Sequence, residues 1–418
     1  MVQLSRDLFA AGDRYMSVEE AVALIGSRVP PVEETETVEL LAAEGRILAK
    51  DVVAPIDLPS FTNSAVDGYA VRAADLIAGS ATKLRLAGRV AAGHPLAFAP
   101  AERCAIRVFT GAPMPPGFDT VFMQEDCRLG DDGTVIVPAG LAAGANCRLR
   151  GEDLPRGAVA LAAGRRLVPE DIGLAAALGH AGLCVRRRLK AAVFSTGDEI
   201  VAPGTALPEA GVYDANRFML AALLRRQGLA VTDLGILADD RDEIARALSL
   251  AAGHHDLIVT SGGVSIGEED HVKAALDQGG SLVFWRLAIK PGRPVAMGII
   301  DGKAFIGLPG NPAAAFIAFI HVVRPLIAAL NGAVPECPPA REVTSGFAHE
   351  KKAGRREYIR ASLVTDAQGR TIAQKHPVAG SGILTSLTRT HGLVELREDV
   401  TRISVGDFVD FLDYDLVR

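Results

Sequence analysis

Short apolar runs alternate with helical patterns through the second half of the chain. Five of these runs are bounded by polar or glycine-rich residues: 189–194, 231–237, 256–261, 282–288 and 304–308. Amphipathic spacing predicts helices at 216–227 and 239–251, and Asn311 before Pro312 predicts the start of another helix over 313–330. Because strands that alternate with helices are typical of a mostly parallel sheet, we predict an α/β unit here.

The first half of the chain has a different pattern. Ser17 and Glu20 have capping-box spacing ahead of a helix over 17–25, and a second helical segment is predicted over 38–49. Residues 84–137 alternate short apolar runs with Gly and Pro, which is typical of a small β-rich unit. A mixed α/β and β protein of several domains is therefore predicted.

Three polar loops lie around the β-rich unit. The first contains Asn63, Ser64 and Asp67, the second follows a predicted strand at Thr110, and the third is the Arg-Gly-Glu-Asp segment 150–153. Asn and Asp favour tight turns because their side chains hydrogen-bond to the nearby backbone. Each loop is therefore consistent with a plain surface turn and with a rigid segment that presents polar groups to a ligand.

One apolar run leads into an unusual loop. The strand over 256–261 is followed by Ser261-Gly262-Gly263-Val264-Ser265 and then by a predicted helix over 270–277. Glycines let backbone N–H groups approach a ligand, serines add hydroxyl donors, and a helix N-terminus favours negative charge. The loop has neither the Walker A sequence nor the G-x-G-x-x-G spacing. On its own it is consistent with an anion cradle and with a tight strand-to-helix turn.

Polar residues collect where the predicted parallel strands end. They are Thr196, Asp198 and Glu199, then Asp239 and Asp240, the 261–265 loop, Lys290 with Arg293, and Gly310 with Asn311. Ligands of open α/β sheets bind outside the carboxyl ends of the strands. Carboxylates suited to a hard divalent cation thus share one edge with two cations suited to an anion. Although each group also has a structural explanation as a cap or a solvated turn, their convergence predicts a phosphate or oxyanion site with Mg²⁺.

Composition narrows the class of protein. The chain has 418 residues, 49% hydrophobic and 22% charged, which suits several packed domains. A formal net charge of −6 argues against a nucleic-acid-binding surface. No apolar run is expected to reach the roughly 18 residues of a membrane span, and the N-terminus has no signal pattern. Five scattered cysteines without C-x-x-C spacing indicate free thiols in a reducing cytoplasm, not a disulfide framework or zinc site.

Several of these stretches, in this order, resemble the molybdopterin molybdenumtransferases, which complete molybdenum cofactor synthesis. The matching stretches span nearly the whole chain: 59–70 (PSFTNSAVDGYA), 110–113 (TGAP), 150–153 (RGED), 195–199 (STGDE), 213–217 (YDANR), 261–265 (SGGVS), 288–294 (AIKPGRP) and 307–312 (GLPGNP). A single Ser-Gly-Gly would be weak evidence, but the ordered set is specific.

The resemblance implies a four-domain subunit in an elongated homodimer. Residues 1–50 and 150–187 would form a helical dimerisation domain, and 51–149 an inserted β-rich domain. Residues 188–334 would form the α/β molybdopterin-binding domain and 335–418 a C-terminal β-barrel, consistent with strand patterns after residue 341. The active cleft would lie between the α/β domain of one subunit and the β-rich domain of the other.

The resemblance also implies a reaction, the transfer of molybdenum from molybdate to adenylylated molybdopterin with release of AMP and a requirement for Mg²⁺. Catalytic roles fall to Asp67, Thr110, Asp153, Glu199, Asp270 and Lys290. Substrate-binding roles fall to Asn63, Ser64, Thr196, Gly197, Ser261, Gly262, Gly263, Ser265, Arg293, Pro309, Gly310 and Asn311. Metal-binding roles fall to Asp198, Glu199, Asp239 and Asp240. Other proteins of cofactor synthesis are candidate partners, whereas nucleic acid and membrane are not.

Three positions depart from the family pattern. Thr62 stands where an acidic residue is frequent, which is expected to weaken a polar contact; Val66 replaces a common Met; and Arg293 replaces a frequent Lys, which keeps the charge. Two other functions stay open at this point. One is a nucleotide or pterin pyrophosphohydrolase on a related α/β domain, and the other is an anion-binding scaffold without turnover.

Overall fold

A seven-stranded central sheet organises the second half of the chain. The computed structural model describes residues 15–238, 240–262, 280–292, 294–366 and 368–417. In spatial order the strands of the central sheet are Tyr15–Met16, Gly280–Leu287, Pro294–Ile300, Lys303–Leu308, Leu257–Ser261, Lys190–Thr196 and Ala230–Leu237. The last four are parallel to one another, so the predicted mostly parallel α/β unit is confirmed.

The strand Pro294–Ile300 is the exception, since it runs antiparallel to both of its neighbours. Asp301 and Gly302 adopt positive φ angles of 47° and 78° and turn the chain directly into Lys303–Leu308. Asp-Gly is a favoured pair for two-residue hairpin turns, so the sequence carries the signal for this reversal.

A long apolar helix lies at the centre of the α/β unit. Pro312–Leu330 consists of an α-helix, a π-helical turn at Phe319–Val323 and a second α-helix. It begins as predicted, with Asn311 at the N-cap and Pro312 in the first turn. By length and composition it is able to span a membrane, contrary to the expectation that no run is long enough, but 89% of its most apolar window is buried inside the protein.

The other α-helices of the described residues are Val18–Arg28, Pro169–Ala177, Asn216–Arg226, Arg241–His254, Thr385–Thr388 and Tyr414–Val417. The first has the predicted capping box, in which Ser17 Oγ accepts from the Glu20 N–H at 3.1 Å and the Ser17 N–H donates to Glu20 Oε2 at 2.9 Å. Its buried face, which includes Ala21 and Ile25, joins the hydrophobic core of the central sheet.

The second N-terminal helix, predicted over 38–49, does not form. Thr35–Glu39 is a strand that pairs antiparallel with Gly182–Arg186, and a single 3₁₀ turn, Leu40–Ala42, follows it. Pairing with a strand about 145 residues away overrides the local helical spacing, as tertiary context commonly does. The division of the chain into domains at residues 50, 150, 187 and 334 stays a prediction.

A six-stranded sheet forms the β-rich unit. Its strands, in spatial order, are Thr120–Met123, Gly68–Val71, Cys104–Val108, Thr82–Val90, Thr134–Val137 and Arg128–Leu129. Hydrophobic clusters cover both of its faces. Because Gly68 pairs with Val108 in an antiparallel register, Asp67 and Thr110 emerge at the same end of the sheet.

The described residues also form short two-stranded ribbons. Their pairs are Asn63–Ser64 with Cys147–Arg148, Val52–Val53 with Val159–Leu161, Ile200–Val201 with Val212–Tyr213, and His349–Glu350 with Arg402–Ile403.

The C-terminal region closes into a five-stranded barrel. Its strands are Arg356–Thr365, Thr371–Lys375, Arg341–Ser345, Phe408–Asp413 and Gly392–Leu396, and the last pairs back onto the first. The predicted C-terminal β-barrel is therefore confirmed. The short strand Ile289–Lys290 pairs in parallel with Arg356 and Glu357, which attaches the central unit to the outside of the barrel.

Barrel closure depends on a close backbone approach at Gly392, which leads to a prediction. A Cβ added there would lie 2.2 Å from the Leu412 carbonyl oxygen and 2.5 Å from the Phe411 ring. We expect Gly392→Ala to lower the free energy of unfolding by about 1–3 kcal/mol through overpacking, measured by urea denaturation. Gly253→Ala is the matched control, because no atom lies within 4 Å of its added Cβ. Equal stabilities for the two variants would contradict this description of the barrel.

Candidate functional site

Parallel register aligns the carboxyl ends of three central strands. Ser195 lies beside Ser261, and Ser261 lies beside Leu308. The segments that follow, Thr196-Gly197, Gly262 and Pro309-Gly310, therefore emerge at one edge of the sheet. The structure therefore brings these three strand ends together, while their contact with a substrate stays a prediction.

Asn216, at the start of its helix, ties this edge together. Its Nδ2 donates to Ser261 Oγ at 2.8 Å and to the Gly310 carbonyl at 2.6 Å. Ser261 Oγ in turn donates to the Pro309 carbonyl at 2.9 Å, and the Gly262 N–H donates to the Leu308 carbonyl at 3.1 Å. Asn216 lies in the matching stretch 213–217, but the sequence assigned it no role. Its neighbours along the chain gave no sign of these long-range contacts.

The edge has a glycine in the left-handed region and unsatisfied polar atoms. Gly262 has a φ of +86°, a backbone conformation that favours glycine. Within the described residues, Ser195 Oγ and Asn216 Oδ1 are buried without a hydrogen-bond partner. Since buried polar atoms are normally paired, these two atoms mark a place where a polar ligand would complete the hydrogen bonding.

Two anchors fix the position of Asn216. Arg217, the next residue, is buried, and its Nε donates to Asp214 Oδ2 at 2.7 Å. The Arg217 guanidinium also pairs with Asp233 on the neighbouring strand. A charge-assisted network of this kind holds the start of the helix against the sheet.

A cavity of about 560 Å³ continues from this edge toward the barrel. Residues from both units line it, including Lys290, Pro309, Asn311, Glu357, Arg360 and Lys375. Lys290 Nζ lies 3.0 Å from Glu357 Oε1, and His349 Nε2 lies 3.3 Å from the same oxygen. Lys290, Arg360 and Lys375 line the cavity together with a single carboxylate, that of Glu357. The cavity therefore has an excess of positive charge.

Arg360 is the buried cation of this cavity. Its Nη2 donates to the Gly380 carbonyl at 2.7 Å and its Nε to Ser386 Oγ at 3.1 Å. Burial lowers the pKa of the Arg360 guanidinium from its usual value. Sequence reasoning missed Arg360, Glu357 and Lys375, because only the pairing of Ile289–Lys290 with the barrel brings them to the site.

Asp67 and Thr110 meet at one end of the β-rich sheet. Asp67 Oδ1 accepts both the backbone N–H and the hydroxyl of Thr110, each at 2.7 Å. The Thr110 N–H first, then its hydroxyl and the nearby Arg107 charge, hold the pKa of the Asp67 carboxyl below its usual range. Asp67 is therefore a half-buried, oriented carboxylate at neutral pH.

The preceding residues shape this loop from within. Ser64 is fully buried, and its Oγ donates to the Val66 carbonyl at 2.6 Å. Asn63 is also buried and donates from Nδ2 to the Phe61 carbonyl at 3.2 Å. In this arrangement both side chains support the loop instead of pointing a donor outward, so their predicted contact with substrate stays a prediction.

The 150–153 segment packs beside the same loop. The Asp153 N–H donates to the Leu58 carbonyl at 3.0 Å, which leaves the Asp153 side chain exposed. The Arg150 N–H donates to Thr62 Oγ1 at 3.2 Å, and the weaker polar contact expected from Thr62 stays a prediction. Arg150 Nε also donates to Asp57 Oδ2 at 2.6 Å.

The predicted metal ligands differ in how free their carboxylates are. Asp198 and Glu199 are exposed after the strand Lys190–Thr196, whereas Asp240 caps a helix by accepting the Glu243 N–H at 2.8 Å. No group of three or more His, Cys, Asp or Glu side chains is gathered as a metal site within the described ranges. Five predicted site residues lie outside the described part of the chain: Asp239, Gly263, Ser265, Asp270 and Arg293. The helix predicted over 270–277 lies outside it as well.

Three family models match consecutive parts of the chain. They are described as the MoeA N-terminal region (domain I and II), over residues 16–179, a probable molybdopterin binding domain, over 192–329, and the MoeA C-terminal region (domain IV), over 342–414. The molybdopterin-binding match includes the sheet edge held by Asn216.

Whole-length relatives agree with these matches. A molybdopterin molybdenumtransferase of Haemophilus influenzae is 38% identical over 94% of this chain and 97% of its own length. Molybdopterin molybdenumtransferase 2 of Mycobacterium tuberculosis is 36% identical over 88% of this chain and 93% of its own. The crystal structure of a molybdopterin biosynthesis MoeA protein from Pyrococcus horikoshii superposes with a TM-score of 0.80 at 28% identity, covering 96% of this chain and 100% of that one. The chain belongs to the molybdopterin molybdenumtransferase family, the transferases that insert molybdenum into molybdopterin during molybdenum cofactor synthesis.

Proposed function

We propose that this enzyme takes molybdenum from molybdate, transfers it to adenylylated molybdopterin and releases AMP. The observation that carries the proposal is the division of one sheet edge into two parts. Ser195, Ser261, Gly262 and Asn216 form a neutral part, in which the Ser195 hydroxyl has no partner among the described residues. Lys290 and Arg360 belong to the cationic cavity beside it.

The two parts suit two different anions. A substrate phosphate is held well by backbone N–H groups and hydroxyls at a strand end, where oriented dipoles supply positive potential without a fixed charge. Molybdate is a compact dianion that gains most from full positive charges such as Lys290 and Arg360. Bringing two anions into contact requires charge neutralisation, so positioning and electrostatics supply the main catalytic effects.

Mg²⁺ fits the carboxylates of the same edge. Mg²⁺ in proteins is commonly held by one or two carboxylates together with substrate phosphates, so Asp198 and Glu199 are sufficient ligands. When bound, the ion would neutralise charge on the phosphoanhydride. Gly197 leaves room for this arrangement, since a Cβ there would lie 2.6 Å from Glu199 Oε2. Asp240 is already engaged as a helix cap and contributes at most one free oxygen.

Asp67 and Thr110 belong to a different sheet, and we propose that they reach the α/β edge of a second subunit. Exposed apolar side chains support an interface close to Asn216, because Val212, Tyr213 and Phe218 are 55%, 42% and 50% exposed. A homodimer would bury such a patch and would place the oriented Asp67 carboxylate opposite the substrate phosphates. Soluble small molecules are the substrates of this site.

The reaction is tested by single-turnover release of AMP from adenylylated molybdopterin in the presence of Mg²⁺, with and without molybdate. The proposal predicts that AMP release depends on molybdate and accompanies formation of a metallated product. AMP release that is indifferent to molybdate would indicate a pyrophosphohydrolase, and tight binding without release would indicate a scaffold.

Replacement of Lys290 tests the cationic cavity. Because Lys290→Gln removes a full charge from the proposed molybdate position, we expect the molybdate concentration for half-maximal AMP release to rise by about tenfold or more. Lys83→Gln is the matched control, since Lys83 pairs with Asp132 on an exposed hairpin. The same molybdate dependence in both variants would remove Lys290 from the site.

Replacement of Thr110 tests the state of Asp67. Thr110→Val removes the hydroxyl donor but keeps the backbone N–H, so the pKa of the Asp67 carboxyl should rise toward its ordinary value. The carboxylate, and any activity that needs it, would then be lost at a higher pH than in the wild type. Carboxyl NMR titration and the acidic limb of the pH–rate profile measure both effects. Thr134→Val should instead affect Asp132, whose carboxylate accepts the Thr134 hydroxyl.

A further inference from the structure

A second large cavity, of about 750 Å³, lies away from the sheet edge. The 160–166 segment forms one wall, the second half of the core helix forms another, and the linker to the barrel forms a third. It shares no lining residue with the cavity beside Lys290. It is therefore a separate space that the proposed reaction does not use.

Close backbone packing fixes the walls of this second cavity. Gly164 has a φ of +83°, and a Cβ added to it would lie 2.8 Å from the Gly332 carbonyl oxygen. The Gly164 N–H donates to the Leu48 carbonyl at 2.8 Å. Contacts of this kind leave little freedom for the walls to collapse, so the cavity is preformed.

The cavity contains two uncompensated guanidinium groups. Arg324 Nε is buried without a hydrogen-bond partner among the described residues. Arg166 donates from Nη1 to the Gly45 carbonyl at 3.0 Å, and neither arginine forms an ion pair within the described ranges. Burial, followed by repulsion from Arg166, lowers the pKa of the Arg324 guanidinium.

Arg165, on the same wall of the cavity, differs from Arg166 and Arg324 because its guanidinium has an ion-pair partner. Arg165 Nε lies 2.7 Å from Asp171 Oδ2, and Asp171 also accepts the Val168 N–H. The Asp171 carboxylate is thus already engaged, and Glu336 at the opposite wall is exposed to solvent. Arg166 is exposed and Arg324 is half-buried, and no carboxylate pairs with either of them within the described ranges. The two like charges repel each other, and an anion bound between them would remove that repulsion.

We propose that this cavity binds a phosphomonoester, with the phosphate between Arg166 and Arg324 and the uncharged body against Ala160, Pro325 and Ala328. A phosphomonoester carries about two negative charges at neutral pH, which matches two unpaired guanidiniums, whereas a carboxylate would leave one cation unpaired. The guanidinium fork fits phosphate oxygens in a bidentate manner. The volume lies in the range that holds a small organic molecule.

Titration calorimetry on the full chain with phenyl phosphate tests this assignment. The affinity for inorganic phosphate measures the contribution of the phosphate alone, and the affinity for benzyl alcohol measures that of the apolar body alone. We expect phenyl phosphate to bind more tightly than either, and Arg324→Gln to weaken it by about tenfold or more. Arg402→Gln is the control, because Arg402 is 71% exposed and lies 3.8 Å from its partner Glu350. Failure of the wild type to bind, or an equal loss in both variants, overturns the proposal.

Thermal unfolding gives an independent readout that separates a ligand site from a structural role. Without ligand, Arg324→Gln should raise the unfolding midpoint, since it removes an unpaired charge. The variant should also lose the increase in midpoint that phenyl phosphate causes in the wild type. A lower midpoint with an unchanged response to phenyl phosphate overturns the proposal. The proposal is also overturned if Arg324→Gln changes the oligomeric mass but not the affinity for phenyl phosphate. Carboxylates of a second copy of the chain would then be the counterions of the arginines.

Discussion

The hydrogen bonds of the Asn216 amide hold together segments that are distant in the sequence. One amide group joins the start of a helix to the ends of two parallel strands, through Ser261 and the Gly310 carbonyl. The parallel register places these strand ends side by side, and the buried Arg217–Asp214 pair fixes the helix from which Asn216 projects. Without this connection, the glycine segments at Gly262 and Gly310 would lose their fixed spacing. The neutral part of the site therefore depends on Asn216, a residue to which the sequence assigned no role.

The charged part of the site has a different origin. Lys290 belongs to a two-residue strand that pairs with the outside of the barrel, and this pairing places it against Glu357. Arg360, four residues after Arg356 in the same barrel strand, lines the cavity from the other side. In the proposed function, the separation of neutral groups from full charges would let one edge receive two anions in distinct places. Contact between the barrel and the sheet would then be needed for the chemistry as well as for stability.

Local patterns predicted much of this arrangement. The capping box at Ser17, the start of the core helix at Pro312 and the strand that ends at Ser261 are short-range signals, and each is present. The polar residues at strand ends followed from topology, because parallel strands must end at a common edge. The resemblance of ordered motifs supplied the family, which composition and spacing alone leave open.

Long-range pairing explains what the sequence did not predict. Residues 38–49 have helical spacing, but Val38 and Glu39 belong to a strand that pairs with the distant strand Gly182–Arg186. The antiparallel strand Pro294–Ile300 depends on an Asp-Gly turn that is easily overlooked between two apolar runs. Arg360 and Glu357 have no motif of their own and reach the site only through barrel closure. Ser64 has the right residue type for a ligand contact, yet burial directs its hydroxyl to the backbone.

Subunit complementation tests the central claim most directly, namely that Asp67 of one subunit and Lys290 of the other form one active site. The measurement is single-turnover AMP release after Asp67→Ala and Lys290→Gln chains are mixed and allowed to exchange, at a molybdate concentration too low for either variant alone to release AMP. Random exchange makes half of the dimers mixed, and each mixed dimer contains one intact site. The mixture should therefore recover about a quarter of the wild-type amplitude. No recovery in a mixture shown to contain mixed dimers would mean that both residues act within one chain, which would contradict the account.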